Sequence, residues 1–269
     1  MLSTARGLAR SCHPGPTVAV TALAGLLALA FSAPWLVAFT VVAAVFTGQL
    51  VIGWSNDLID ADRDRADARA DKPLAGAQIS DRVVVVALVV AGLVCVITSL
   101  SLGWLAGATH LVLLVGSGLA YNLGLKATVW SFVPYAVAFG SLPAVVWFAV
   151  ANGAPPAWML LVGALLGVGA HLLNVLPDLA EDERHGIRGL PHRLGQRRTQ
   201  LLAPALLATG TVVVVLSSGE PLGFGGGLVL ISALALAVVA ARGTGKTPFR
   251  AAVALALLSA ATLVVNSWS

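Results

Sequence analysis

The chain has 269 residues, 58% of them apolar and only 10% charged, with a net charge of +4 and a mean hydropathy of +0.91. Soluble domains carry about 25% charged residues, so this composition excludes a water-soluble globule, and a cysteine complement of Cys12 and Cys95 alone excludes a disulfide framework. What remains is an all-α polytopic membrane protein, in which the surplus of positive charge reports orientation in the bilayer rather than nucleic-acid binding.

A bilayer-spanning helix needs about 20 apolar residues. In chain order, nine candidate spans, free of charge except at their ends, meet that need: roughly 15–33, 35–57, 82–101, 104–121, 129–150, 156–178, 199–217, 221–241 and 250–267. The runs are continuous rather than alternating, which excludes a closed β-barrel. Arg6 and Arg10 precede the first run; a cleaved signal peptide would also carry such charges, but a span-length run followed by eight more favours a retained helix. Arg63, Arg65, Arg69, Lys72 and Arg82 follow the second run, and Lys126 follows the fourth. Arg184, Arg188, Arg193, Arg197 and Arg198 follow the sixth; Arg242, Lys246 and Arg250 follow the eighth. Every intervening loop lacks a basic residue, so the positive-inside rule places the N-terminus and the basic loops in the cytoplasm and the C-terminus outside. The expectation is one domain over residues 1–269, integral to the cell membrane, with cytoplasmic cap loops near 58–81, 122–128 and 179–198.

The acidic residues are more concentrated still. Asp57, Asp60, Asp62, Asp64, Asp67, Asp71 and Asp81 follow the second run; Asp178, Glu181, Asp182 and Glu183 follow the sixth; Glu220 stands alone. Within each cluster the spacing repeats, as Asn56-x3-Asp60-x3-Asp64 and Asn174-x3-Asp178-x3-Asp182. On a helix each trio occupies an arc of about 80°. Stacked carboxylates are unfavourable unless a cation binds them, and charged groups at a membrane boundary point to function. Oxygen donors without clustered His or Cys suit a hard cation such as Mg²⁺, completed by water and phosphate oxygens. Arg63, Arg65, Arg69 and Lys72 beside one cluster, Arg184, Arg188 and Arg193 beside the other, and Lys126 add the charge to clamp a diphosphate. Gln49, Trp54 and His171 are candidates either for an acceptor pocket or for packing.

Asn56-Asp-Leu-Ile-Asp-Ala-Asp-Arg-Asp64 with Lys72-Pro-Leu74 resembles the first aspartate-rich motif of the UbiA-type intramembrane prenyltransferases. Asn174-Val-Leu-Pro-Asp178-Leu-Ala-Glu-Asp182, followed by Gly186-Ile-Arg188, resembles the second, and Tyr121-Asn-Leu-Gly-Leu-Lys126 is similar to the family's tyrosine–lysine stretch. The resemblance covers nearly the whole chain. It implies nine helices around a cavity open to lipid, with Asn56, Asp60, Asp64, Asp178 and Asp182 holding Mg²⁺ against a prenyl diphosphate and Asp57 in support. It further implies diphosphate contact by Lys126, cation stabilisation by Tyr121, and substrate binding by Asn174, Arg63, Lys72 and Arg188. The expected reaction is prenyl transfer to a small lipophilic acceptor, commonly aromatic in this family; a terpene cyclase using the same diphosphate site is the rival. Two positions depart from the family's pattern: His13-Pro14 stands for the usual Arg-Pro, and Lys72-Pro73-Leu74 for Arg-Pro-Leu.

Overall fold

The computed structural model describes residues 2–69, 72–217, 224–245 and 247–267, so Asp71, Glu220 and Lys246 lie outside the described residues. Among those described, every regular element is helical. Helix α1 (Leu2–Ser11) meets α2 (Pro14–Ala30) at a 69° bend. The corner is His13, whose φ of 54° is left-handed; the proline that follows disfavours helical backbone at this position. The corner rests on α3 (Trp35–Ala66). A Cβ on Gly53 would lie 2.5 Å from the Cys12 carbonyl oxygen, and Trp54 Nε1 donates to the Leu8 carbonyl at 3.0 Å. Trp54 is therefore a packing residue of the α1–α3 contact.

At 1.5 Å per residue α3 is about 48 Å long, well beyond a hydrocarbon core of about 30 Å. Its last turns must protrude, and they carry the first acidic motif. Residues 58–66 of the expected cap loop are accordingly helix. Helix α4 (Asp81–Ser101) buries Val84, Ala91, Cys95 and Ser99 and turns Val86, Val89, Leu93 and Ile97 outward, as a lipid-facing helix does. Helix α5 (Trp104–Asn122) contains a π-helical stretch, Thr109–Val115, in which the fully buried His110 places Nδ1 2.7 Å from Ser99 Oγ.

A 3₁₀ turn (Val129–Phe132) leads into α6 (Val133–Val150), which lies against α7 (Ala157–Val175). Their backbones approach closely because the contact is made of glycines, the usual device of membrane helix pairs. A Cβ on Gly163 would lie 2.3 Å from the Phe139 carbonyl oxygen, and one on Gly167 2.4 Å from that of Tyr135. Short cap helices α8 (Leu179–Arg184) and α9 (Leu190–Leu194) precede α10 (Gln196–Ser217), α11 (Phe224–Arg242) and α12 (Thr247–Ser267). Contacts run α2–α3–α5–α6–α7–α12 and back to α2, closing a ring, with α4 outside α3 and α10 and α11 behind α7 and α12.

Seven described helices are long and apolar enough to cross a membrane, or eight when the bent α1–α2 pair counts as one. The expected first span, 15–33, is thus the 17-residue arm of a broken pair, and the expected ninth coincides with α12. One expectation is corrected. The second acidic trio does not share a regular helical face, because Pro177 breaks the helix into a 3₁₀ turn, Leu176–Asp178, between α7 and α8.

Candidate active site

The ring encloses a cavity of about 250 Å³. Its lining is polar at one end, where Asn56, Asn174 and Tyr121 stand, and apolar at the other, where Leu23, Leu142 and Leu166 stand. The acidic motifs sit around the polar end.

On α3 the residues Asp57, Asp60 and Asp64 are 3%, 7% and 5% exposed. Charges buried to this degree need partners, and each has them. Lys126 Nζ donates to both oxygens of Asp60, at 2.7 and 2.8 Å, and Arg63 Nη2 lies 3.1 Å from the same carboxylate. Lys72 Nζ is 3.1 Å from Asp57 and 3.6 Å from Asp64, while Arg63 is 3.8 Å from Asp64. Burial opposes the Lys72 charge, but Asp57 and Asp64 beside it outweigh that and raise its pKa above the usual lysine value. His13 Nε2 lies 3.1 Å from Asp57 Oδ1 and 3.4 Å from Asn56 Nδ2, so the residue at the α1–α2 corner is part of this cluster.

Lys126 reaches the site through a sharp turn. Gly124, with φ of 145°, redirects the chain after α5 into the 3₁₀ turn Leu125–Ala127. Asn122, just before it, donates to the Ile52 carbonyl and to Ser55 Oγ, each at 2.9 Å, pinning the end of α5 to α3.

The second motif is more open. Asp178 is exposed and Asp182 half-buried, with Arg63 and Lys126 within electrostatic reach of Asp182. His192 Nε2 is 3.7 Å from Asp182 Oδ2, and burial lowers the His192 pKa. The two motifs are tied across the cap by an Arg69–Glu181 ion pair and by His185 Nε2 at 2.8 Å from Asp67. Arg188 is exposed and does not line the cavity.

Among the described residues, no three His, Cys, Asp or Glu side chains converge closely enough to hold a metal by themselves. The acidic set is therefore not a ready-made cage. An oxygen-only donor set with one or two carboxylates from each side still fits Mg²⁺, which takes few protein ligands and completes its shell with phosphate oxygens and water.

Just below the carboxylates is an aromatic wall. Tyr121 and Tyr135 meet edge to face with centroids 5.3 Å apart, and Tyr135 stacks with Phe139 at 6.3 Å. His171, fully buried, packs against both tyrosines at 5.7 and 4.7 Å, and its Nε2 is 3.1 Å from Ser131 Oγ. Ser131 Oγ also accepts from the Leu190 backbone at 2.9 Å, joining α9 to α7. Gln49 lines the cavity; His171 stands behind its aromatic wall. Tyr135, Phe139 and Ser131 are the site residues that sequence reasoning missed. The only signal was that Tyr135 is one of just two tyrosines in the chain.

The UbiA prenyltransferase family matches residues 18–261. Digeranylgeranylglyceryl phosphate synthase of Natronomonas pharaonis is 30% identical over 235 residues, covering 80% of this chain and 77% of that protein. A UbiA homologue from Archaeoglobus fulgidus, solved bound to DMAPP and Mg²⁺, superposes with a TM-score of 0.73 at 15% identity over 97% of each chain. The apo structure of a UbiA homologue from Aeropyrum pernix K1 gives 0.75 at 18% identity, over 93% of this chain and 98% of that one.

Proposed function

From its membership of the UbiA prenyltransferase family, to which this chain belongs, we infer that the protein moves a prenyl group from an isoprenoid diphosphate to a small lipophilic acceptor, using Mg²⁺. One observation carries the reading: two acidic motifs distant in sequence meet, with Lys126 and Arg63 between them, at the polar end of an otherwise apolar cavity. Asn56, Asp60, Asp64, Asp178 and Asp182 would hold Mg²⁺, which when bound neutralises the diphosphate and makes it a better leaving group.

The protein's own groups do the rest. Lys126, Arg63 and Lys72, which pair with the carboxylates of α3, would contact the diphosphate once it is bound. The allylic C1–O bond then breaks with its electron pair leaving on the diphosphate, whose growing charge these cations stabilise. The allyl cation lies against the Tyr121 ring, whose face attracts positive charge, in a cavity whose apolar walls exclude water. The acceptor's nucleophilic atom bonds to C1 and loses its proton. The acceptor is an aromatic ring, as the motifs' resemblance implies, or a glyceryl phosphate, as the name of the 30% identical relative indicates.

The alternation of basic loops supports a site at the cytoplasmic face, with α12 as the last of nine crossings. A transporter is disfavoured, since transport sites lie near the midplane on broken helices, whereas the carboxylates here lie beyond the apolar length of α3.

The test is purified protein in lipid nanodiscs, with prenyl diphosphates supplied with and without phenolic and glyceryl phosphate acceptors, and products read by mass spectrometry. Prenylated acceptor and free diphosphate, both abolished by chelating Mg²⁺, are expected. Asp60→Ala and Asp178→Ala should each lower turnover by about 10²-fold or more. A cyclic hydrocarbon formed without acceptor points to the cyclase reading, and wild-type turnover in both variants removes the shared metal site.

A further inference from the structure

Below the aromatic wall the cavity does not simply end. A second, smaller space of about 30 Å³ lies beyond it, lined by Pro143, Trp158, Met159, Val214 and Ser259. The two spaces share Leu23, Phe139, Leu142, Leu166 and Ala256, which therefore stand as the partition between them. Phe139 is held by the glycine contact with α7, where Gly167 leaves room for its Cβ. Ala256 is too small to obstruct. Leu142, 1% exposed, comes from α6 immediately before Pro143; Leu166, 5% exposed, comes from α7 and leans on Gly210 of α10, whose added Cβ would lie 3.3 Å from it. Together with Leu23 of α2, 8% exposed, these two long aliphatic side chains on facing helices cross the path away from the carboxylates.

We propose that Leu142 and Leu166 form the floor that sets which prenyl chain length the site accepts. This rests on the functional reading above and adds to it. Along α7, Leu166 is eight residues from Asn174, and along α6, Leu142 is seven from Tyr135, so the floor lies roughly 10–12 Å below the polar end at 1.5 Å per residue. A ten-carbon prenyl tail, with eight carbons in its main chain, extends about 10 Å at ~1.5 Å per bond. Such a tail reaches the floor, and each further isoprene unit must displace the two leucines or bend aside.

Opposed substitutions test the floor. Leu166→Ala and Leu142→Ala join the two spaces, whereas Leu166→Phe and Leu142→Phe thicken the partition. The measurement is kcat/KM for twenty-carbon over ten-carbon prenyl diphosphate at one fixed acceptor in nanodiscs. A ratio of this kind is unaffected by the fraction of each preparation that is folded. The alanine variants should raise it about tenfold and the phenylalanine variants lower it about tenfold. A ratio unchanged in all four variants, or moved in the same direction by both kinds of substitution, overturns the floor while leaving prenyl transfer standing. Absence of turnover with every donor in the unmodified protein would instead sink the functional reading on which the floor depends.

Discussion

Lys72 is the residue on which the buried acids of α3 most depend. It is 21% exposed and lies within ion-pair distance of Asp57 and Asp64, which are 3% and 6% exposed at the side chain. Lys72→Met leaves Asp57 with His13 and Asp64 with Arg63 at 3.8 Å. The loss should cost about 2 kcal/mol, below the full penalty for an orphaned buried charge because each acid keeps one partner. Since folding raises the Lys72 pKa, its contribution is complete below the unfolded lysine value and is lost only as pH rises through the folded one. The deficit of Lys72→Met against wild type, read by thermal unfolding in detergent, should therefore be flat between about pH 7 and about pH 9. The acids and their spacing were legible in the sequence because a four-residue step is a helical step. Their individual partners were not, since a lysine beyond a turn or an arginine one turn away carries no local mark of which carboxylate it meets. Tyr135 was hidden for a similar reason: in a helix apolar on all sides, nothing in the pattern says which face looks inward.

At the scale of elements, the long α3 and the broken α7–α8 segment show how the two similar motifs differ. The first rides on uninterrupted helix through Ala66 and buries its carboxylates; the second is bent by Pro177 and leaves Asp178 exposed. Matching spacing had implied matching faces, and the proline inside the second motif was the readable sign that they would not match. The glycines of α7 make a sharper test of element packing. Gly163→Ala puts a methyl 2.3 Å from a backbone oxygen of α6, whereas Gly92→Ala on the lipid side of α4 meets nothing within 4 Å. Thermal unfolding should show Gly163→Ala destabilised by about 1–3 kcal/mol and Gly92→Ala neutral or stabilised by up to about 1 kcal/mol.

For the whole molecule, the all-α, multi-pass membrane class was legible from composition, because a bilayer imposes long apolar helices. The ring order and the α1–α2 corner were not, since lateral packing depends on shape rather than hydropathy. Sidedness has a direct check. Cys12 and Cys95 are buried, so new cysteines report cleanly. A membrane-impermeant maleimide should label Asn152→Cys in intact cells and Arg184→Cys only after permeabilisation; the reverse pattern inverts the topology.

The carboxylates of α3 already have their counter-charges, supplied by Lys126, Arg63 and Lys72. Under the proposed function a donor diphosphate would meet these same cations, and once the prenyl group had gone the acids would compete with the spent diphosphate for them. Their return to the acids would loosen the by-product's hold, so the resting ion pairs would also serve as the reset between turnovers.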